Sequence, residues 1–344
     1  MALLTIGIPV YNEFNHLSKS VENIFRLSQN IGYDIELLIV DNFSTDGTRK
    51  ILESLESKVQ NLKLKIIFNS ENIGFNSSCD KLIDQASGDY IWIVGAQDLI
   101  YLEGMQAIKK ISESKIDYAI CNARIRDEKS MRIINESLWG NVKSQKFNSL
   151  EEFFDSTGGP CQAVSCNIYR VKFIQGYTSR HQISHLWGFI ERILDALIEN
   201  KANSNIEFID TPFVEMLIES DGWQALGIEN FGKTPARTYG AFTPVLQISE
   251  LYKSKLQNDE NLLKSAAPFR DPLGILRTCI QARALGLPMS LKMLKRLSKV
   301  YANSIVFVFL TVPILVLPKF ISKALVHTRP LVHVVRKIFR IKTF

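Results

Sequence analysis

Short apolar runs alternate with amphipathic stretches through the first part of the chain. The amphipathic stretches have helical periodicity and predict helices, while apolar runs of four to six residues between them predict buried strands. This alternation is typical of βαβ units and predicts an α/β fold, a mostly parallel sheet flanked by helices. The predicted strands are 3–8, 35–40, 64–68, 90–94 and 118–121.

The pattern changes after residue 125 and divides the chain further. Residues 126–220 mix short strand candidates, among them 206–209 and 214–218, with a helix and are predicted to cover the edge of the sheet. Residues 221–243 are rich in Gly, Thr and Pro and predict a loop. Residues 244–300 predict a helical region, and 301–344 an apolar and basic tail.

Polar residues follow each of the first four predicted strands. In a parallel sheet these strand ends lie side by side, and ligands bind beyond them. Taken singly, such residues are common helix caps and turn formers. Together they predict one binding edge. The candidates are Pro9, Tyr11, Asn12 and Glu13 after the first strand, Asp41 and Asp46 after the second, Asn72 and Gly74 after the third, and Gln97 and Asp98 after the fourth.

These residue types suit a nucleotide. Asp41 can accept hydrogen bonds from ribose hydroxyls or a base N–H, and Tyr11 can pack on the base while Asn12 and Glu13 line the rim. Asp98 can hold a hard divalent ion that bridges two phosphates. Such an ion acts as a Lewis acid toward a departing diphosphate.

Four motifs in this order resemble the family 2 glycosyltransferases of the GT-A fold, which is Rossmann-like. They are TIGIPVYNE at 5–13, LIVDNFSTDGT at 38–48, Asn72-Ile73-Gly74, and SGDYIWIVGAQDLI at 87–100. The resemblance covers residues 1–125, implied to be the nucleotide-sugar-binding half, and fades toward 220. It is closest to the branch that resembles the abequosyltransferases of surface-polysaccharide synthesis.

The resemblance implies an inverting enzyme that moves a sugar from a nucleotide-sugar donor to a glycan acceptor. It makes Pro9, Tyr11, Glu13, Asp41 and Asp46 residues of the nucleotide site, although Glu13 and Asp46 are alternatively structural. It also implies an acceptor on a polyprenyl carrier at the cytoplasmic membrane surface, in the synthesis of a polysaccharide such as O-antigen or capsule.

The metal motif departs from the family pattern. The family has two or three acids, as in Asp-x-Asp-Asp, whereas this chain has Gly95-Ala96-Gln97-Asp98. Asp98 matches the last acid, and Gln97 offers a neutral oxygen that binds metal more weakly. The expected cofactor is Mg²⁺ or Mn²⁺. Weaker metal affinity, a different coordination set and lost activity are the three explanations of the departure.

A catalytic base is needed to take the proton of the acceptor hydroxyl. The family places an acid at the start of a helix in the covering segment, and His185 stands there in this chain. A histidine titrates near neutrality and can serve as a base, although a lone histidine is more often structural. Glu191, Asp155 and Asp221 are the alternatives.

The C-terminal part of the chain differs from the rest in its charge. Residues 272–344 hold thirteen Lys and Arg and no Asp or Glu, although the whole chain carries only +6. The apolar run 305–317 is shorter than the about 20 residues a spanning helix needs. We therefore predict a peripheral or monotopic tail on an anionic membrane surface. Nucleic acid is the disfavoured anionic partner, because the basic residues adjoin an apolar run.

The cysteines and the N-terminal sequence indicate the cellular compartment. The five cysteines form no CxxC pair, which favours a reducing compartment, and the N-terminus lacks the pattern of a secretory signal. We therefore expect the protein to lie on the inner, cytoplasmic face of the cell membrane.

Two other functions compete with sugar transfer. They are a catalytically silent sugar or nucleotide binder and a sugar-phosphate nucleotidyltransferase. A nucleotidyltransferase would have a Gly-rich, Arg-containing loop at the position of residues 9–13.

Overall fold

The computed structural model describes residues 4–55, 62–140, 142–178, 188–201, 203–218, 242–266 and 291–301. The chain forms two compact units. The first comprises residues 1–153 and 160–218, and the second comprises 154–159 and 219–344.

The described residues of the first unit form one ten-stranded mixed sheet, with the order β3-β2-β1-β4-β9-β6-β10-β5 and with β7 and β8 paired to β6 and β10. β1 to β4 run parallel, as predicted. β9 is antiparallel to both of its neighbours, β4 and β6. The strands are β1 Leu4–Val10, β2 Ile35–Asp41, β3 Lys63–Phe68, β4 Tyr90–Ile93, β5 Leu99–Ile100, β6 Tyr118–Asp127, β7 Ile133–Asn135, β8 Gln145–Phe147, β9 Asn167–Arg170 and β10 Ile206–Ile218.

Helices flank this sheet, as the alternating pattern predicts. Their apolar positions are buried against it; α1, for example, buries Leu17, Val21 and Ile24. The α/β prediction is therefore confirmed. The helices of the first unit are α1 Leu17–Ser28, α2 Thr48–Leu55, α3 Phe75–Gln85, α4 Leu102–Glu113, α6 Val171–Ile174 and α7 Phe189–Glu199. One further helix, α5 Leu150–Thr157, begins in the first unit and ends in the second.

The described part of the second unit is helical. It contains α8 Phe242–Lys255, α9 Glu260–Ser265 and α10 Leu291–Val300. Arg296 Nε donates to Glu250 Oε1 at 3.0 Å, which ties α10 to α8. None of the helices in the described ranges has the length and apolarity needed to cross a bilayer. The predicted loop at 221–243 and the predicted tail at 301–344 lie almost wholly outside the described residues.

A buried carboxylate joins the amino ends of the central strands. Glu36 Oε2 accepts hydrogen bonds from Thr5 Oγ1 at 2.7 Å and from the Ser87 amide at 2.8 Å. Lys63 Nζ lies 3.3 Å from Glu36 Oε1. Burial alone would raise the pKa of Glu36, but the hydrogen bonds from Thr5, Ser87 and Lys63 outweigh it and lower that pKa. This cluster stabilises the end of the sheet opposite the predicted binding edge.

Replacing Glu36 by alanine is expected to cost about 3 kcal/mol of unfolding free energy at pH 7, because buried donors lose their acceptor. The pKa of Glu36 is lowered in the folded state, so its contribution is present above pH 4.5 and is lost as pH falls through the folded pKa. Urea unfolding at pH 7 and at pH 3.5 measures both effects. Glu53→Ala, at an exposed position of α2, is the control. An equal loss at both pH values would contradict the ionised role of Glu36.

Candidate functional site

Four loops meet at the carboxyl ends of β1 to β4. They comprise residues 11–14, 42–47, 69–74 and 94–98, here called the carboxyl edge, and all lie in the first unit. The strand order places these loops side by side, in the sequence β3, β2, β1, β4. Ligands of doubly wound sheets bind at such an edge. The structure therefore brings together the predicted residues that follow the first four strands.

The loops after β1 and β2 are tied together by direct hydrogen bonds. The Asn12 amide donates to Ser44 Oγ at 2.9 Å, and Asn12 Oδ1 accepts from the Thr45 amide at 2.8 Å. Asn12 adopts a φ of 57°, a left-handed conformation that asparagine tolerates better than most residues. Tyr11 is left 47% exposed beside this tie. Asn12 thus organises the loops, while the Tyr11 ring is open to a ligand.

Asp46 has a local structural role at the start of α2. Its Oδ1 accepts from the Thr48 amide at 3.0 Å, and its Oδ2 from the Phe14 amide at 3.2 Å. Desolvation acts to raise the pKa of Asp46, but the hydrogen bonds from Thr48 and Phe14 outweigh it and lower that pKa. Asp46 therefore stays ionised and joins the loop after β1 to α2.

Asp41 ends β2 as a fully buried carboxylate. It accepts from the Ser44 amide at 3.3 Å, and Arg49 Nε lies 3.9 Å from Asp41 Oδ2. The Arg49 guanidinium also stacks over Phe68, 4.7 Å from the ring centroid. Sequence reasoning missed Arg49 and Phe68, because their contact joins the start of α2 to the end of β3, two points that are separated along the chain.

Side-chain amides connect the loops after β2 and β3. Asn42 Nδ2 donates to Asn72 Oδ1 at 2.7 Å, and Asn69 Nδ2 donates to Asn42 Oδ1 at 3.2 Å. Lys81 Nζ donates to Asn69 Oδ1 at 2.8 Å. Gly74 has a φ of 86° at the start of α3, a conformation that requires glycine. Asn72 and Gly74 therefore fix this loop, and Asn42, Asn69 and Lys81 join the set found from the sequence.

Asp98 is the last residue of the loop after β4 and is buried, with 7% of its surface exposed. Ser165 Oγ donates to Asp98 Oδ2 at 2.5 Å, and the Leu217 amide donates to Oδ1 at 3.4 Å. Burial raises the pKa of Asp98 to about 7, with a further rise from the charge of Glu13 and partial opposition from the two hydrogen bonds. A Cβ at Gly95 would lie 2.9 Å from Asp98 Oδ2, so glycine makes room for this carboxylate.

The donor set at this position does not form a metal site by itself. A hard divalent cation takes about six oxygen ligands. Positions 95–97 supply no carboxylate, Gln97 is half-buried, and both oxygens of Asp98 already accept hydrogen bonds. Across the described ranges, no group of three or more His, Cys, Asp or Glu side chains is arranged to hold a metal ion.

Glu13 lies at the same edge and is half-buried. Burial raises its pKa, the charge of His16 acts to lower it, and Asp46 and Glu128 raise it further. His16 Nε2 lies 3.4 Å from Glu128 Oε1, in the turn between β6 and β7. Sequence reasoning missed His16 and Glu128, since Glu128 lies in the β6–β7 hairpin, far along the chain from His16.

Among the described residues, the candidate catalytic bases are not brought together at the carboxyl edge. His185 and Asp221 lie outside them. Asp155 belongs to the second unit, where it accepts a hydrogen bond from Ser265. Glu191 is described, but its side chain is fully buried in the first turn of α7. The identity of the base stays a prediction.

The start of α7 is anchored to α3. Gly188, directly before α7, donates its amide to Asn76 Oδ1 at 2.9 Å. The fully buried Arg192 donates to Asp80 Oδ1 at 3.2 Å and to Asp84 Oδ1 at 2.7 Å. α3 begins at the loop that contains Gly74, so these contacts fix α7 relative to the carboxyl edge.

Solved structures of other proteins are similar in fold to this chain. TarS from S. aureus, solved with UDP-GlcNAc, matches with a TM-score of 0.57 and 15% identity, over 87% of this chain and 80% of that one. A mannosyltransferase from Pyrobaculum calidifontis, solved with GDP-Man and Mn²⁺, matches with a TM-score of 0.55 and 12% identity, over 99% and 88%. At these identities the similarity shows the fold. Glycosyltransferases of this GT-A fold typically depend on a divalent metal ion.

Sequence comparison identifies the family. The abequosyltransferase RfbV of Salmonella typhimurium is 29% identical over 124 residues, which are 36% of this chain and 36% of that protein. The chain spans less than half the length of the first curated relatives that it matches. The model of the family described as "Glycosyl transferase family 2" matches residues 5–178, which is half of the chain. The chain therefore belongs to glycosyl transferase family 2.

Proposed function

We propose that this protein is an inverting glycosyltransferase that moves a sugar from a nucleotide-sugar donor to a lipid-linked glycan in surface-polysaccharide biosynthesis. One observation carries the proposal: the loops after β1, β2 and β3 are joined into one surface by side-chain hydrogen bonds. Tyr11 is exposed on that surface, and Asp98 is a buried residue of the neighbouring loop. Family membership supports the same reaction class.

The donor would lie along the carboxyl edge. Tyr11 would stack on the base, and the partly exposed Arg49 would face its polar edge or the ribose. The buried Asp41 would act by holding Arg49 in place. Pro9 is the penultimate residue of the buried strand β1, and Gly74 directly precedes α3, so both would act by fixing the backbone on either side. The diphosphate would then lie toward Gln97 and Asp98.

A bound Mg²⁺ or Mn²⁺ remains part of the proposal, with Asp98 as its protein carboxylate and Gln97 as a neutral ligand. The donor diphosphate would have to supply other anionic oxygens, because the described residues near Asp98 offer no second acid. Such an ion would offset the negative charge of the departing nucleoside diphosphate. The ion is therefore expected to bind more tightly with the diphosphate than alone.

The acceptor hydroxyl must lose a proton as it attacks the anomeric carbon. We propose His185 for this step, because histidine is the side chain whose ordinary pKa lies near neutrality. Glu191 is the second choice, because its side chain is fully buried in α7. The acceptor would be a polyprenyl-linked glycan, and the basic tail at 301–344 would hold the enzyme peripherally on the anionic inner face of the membrane.

Calorimetric titration with UDP, GDP, CDP and ADP, with and without Mn²⁺, tests donor binding. We expect at least one diphosphate to bind, and Tyr11→Ala to weaken it roughly ten-fold through lost stacking. Leu102→Ala, at a similarly exposed apolar position, is the matched control. Mass spectrometry of an acceptor incubated with the matching nucleotide sugar then tests transfer. Absence of binding to every diphosphate would sink the proposal.

One observation favours a second candidate, a catalytically silent nucleotide or sugar binder. The acid set of the metal motif is reduced to Asp98, and that carboxylate is engaged by Ser165 and Leu217. Such a protein would bind a diphosphate with no dependence on Mn²⁺ and would transfer no sugar. Turnover by the purified wild-type chain eliminates this candidate.

A further inference from the structure

The turn between β6 and β7 and the first two residues of β7 form a continuous exposed run. Residues 129–134, here called the hairpin patch, have the sequence KSMRII and are all exposed. Met131, Ile133 and Ile134 have between 38% and 47% of their surface accessible. Single exposed apolar side chains are ordinary on protein surfaces, but three within four positions form a patch of the kind that marks an interaction site.

The hairpin patch begins beside the carboxyl edge. β7 pairs antiparallel with β6, with Ile133 opposite Arg126. Glu128, which directly precedes the patch, lies 3.4 Å from His16, and its charge raises the pKa of Glu13 at the carboxyl edge. A surface that the patch contacts would therefore lie next to the proposed donor site.

The arrangement of the apolar side chains favours a lipid surface over a protein. Ile133 and Ile134 are successive residues of a strand, so their side chains point to opposite faces of the hairpin. A partner protein docked on one face would leave the other in water, whereas the interfacial region of a bilayer surrounds both. The patch also contains two basic residues, Lys129 and Arg132, and no acid, which suits anionic headgroups.

We infer that the hairpin patch docks this protein on an anionic lipid bilayer. Met131, Ile133 and Ile134 enter the boundary between headgroups and acyl chains, and Lys129 and Arg132 stay at headgroup level. The inference rests on the proposed function in one respect: an acceptor carried by a membrane lipid requires the carboxyl edge to lie near the bilayer. It is independent of the predicted tail, because it concerns a different part of the chain.

Vesicle flotation of the full chain tests the docking. Wild type is compared with the triple variant Met131→Ser, Ile133→Ser, Ile134→Ser, on vesicles of phosphatidylcholine alone or mixed equally with phosphatidylglycerol. We expect the triple variant to partition onto the mixed vesicles roughly ten-fold less than wild type. Leu102→Ser, 39% exposed at the start of α4, is the matched control and is expected to float like wild type. Equal flotation of the triple variant and wild type would overturn the inference.

A depth measurement separates the patch from any other membrane contact. Ile134→Trp and Leu102→Trp are prepared, and the fluorescence of the four native tryptophans is subtracted with wild type. Brominated lipids are expected to quench the tryptophan at position 134 and to spare the one at 102. A protein that floats with no quenching at 134 is held elsewhere, which would overturn the inference. So would a triple variant that changes only the oligomeric state in light scattering, since the patch would then be a protein interface.

Nucleoside diphosphate titration of the triple variant keeps the two proposals apart. We expect its affinity to equal that of wild type, which also shows that the variant is folded. Failed flotation of wild type with intact diphosphate binding would remove the docking inference and leave sugar transfer standing. If wild type bound vesicles but no diphosphate, the sugar-transfer proposal would be removed and the docking inference would stand.

Discussion

Replacing Asp98 by asparagine is expected to lower sugar transfer at least about 100-fold, because the proposed metal ion would lose its protein carboxylate and would no longer offset the charge of the departing diphosphate. Asp98 is the single acid of residues 95–98, so no neighbour in that stretch can take over its charge. Asparagine has the same shape and keeps an oxygen that can accept from Ser165 or Leu217. The fold should therefore survive. The measurement is kcat/KM for transfer, with thermal unfolding as a check on folding.

A matched control for this change lies at the opposite end of the sheet. Asp117 precedes β6 and pairs with Arg170 at 3.3 Å, far along the strand from the carboxyl edge. Asp117→Asn is expected to leave kcat/KM of the folded protein unchanged. If Asp98→Asn retained activity within about three-fold of wild type, Asp98 would have no part in the reaction.

Removing the Arg192 side chain is expected to give the largest loss of stability. Arg192→Leu should lower the free energy of unfolding by about 3–5 kcal/mol, because buried partners of a fully buried cation lose their charge-assisted hydrogen bonds. Those partners include Asp80 and the Ile174 carbonyl, which accepts from Arg192 Nε at 3.0 Å. Urea unfolding measures the loss.

Arg170 provides the comparison for Arg192, since it is also ion-paired but its side chain is 37% exposed. Arg170→Leu should cost no more than about 1 kcal/mol. A similar cost for both variants would mean that burial of Arg192 adds nothing to its pairs. The contrast matters for function, because Arg192 holds α7 against the helix that follows Gly74.

Local pattern was sufficient to predict the central strands. The predicted first strand, 3–8, is found at Leu4–Val10, and the predicted second, 35–40, at Ile35–Asp41. Their residues are buried on both faces, so a continuous apolar run identified them. The predicted fifth strand, 118–121, continues to Asp127 as β6, because its second half alternates between buried and partly exposed positions and contains polar residues.

One strand was divided wrongly. The sequence predicted two short strands, 206–209 and 214–218, and Pro212 lies between them. The structure has a single strand, β10, and accommodates the proline by register shifts between Ile209 and Val214. A proline lacks the amide needed for the ladder, and an irregularity in pairing is where a strand tolerates it. Residue type alone did not distinguish a bulge from an end.

The contacts of the carboxyl edge could be predicted only in part. The motifs placed Asp41, Asn72 and Asp98 on neighbouring strand ends, and the structure agrees. The partner of Asp98 could not be found this way, because Ser165 is 67 residues away and lies in the short turn directly before the antiparallel strand β9. Short-range periodicity contains no information on such a pairing.

The tie between Asn12 and residues Ser44 and Thr45 has a consequence for the rate of ligand capture. Because protein groups alone hold these two loops together, a nucleotide would meet a surface already in its binding shape and would not have to order the loops first. Association should then be limited by encounter and orientation. Differences in affinity between related nucleotides would appear mainly in how long each one stays bound.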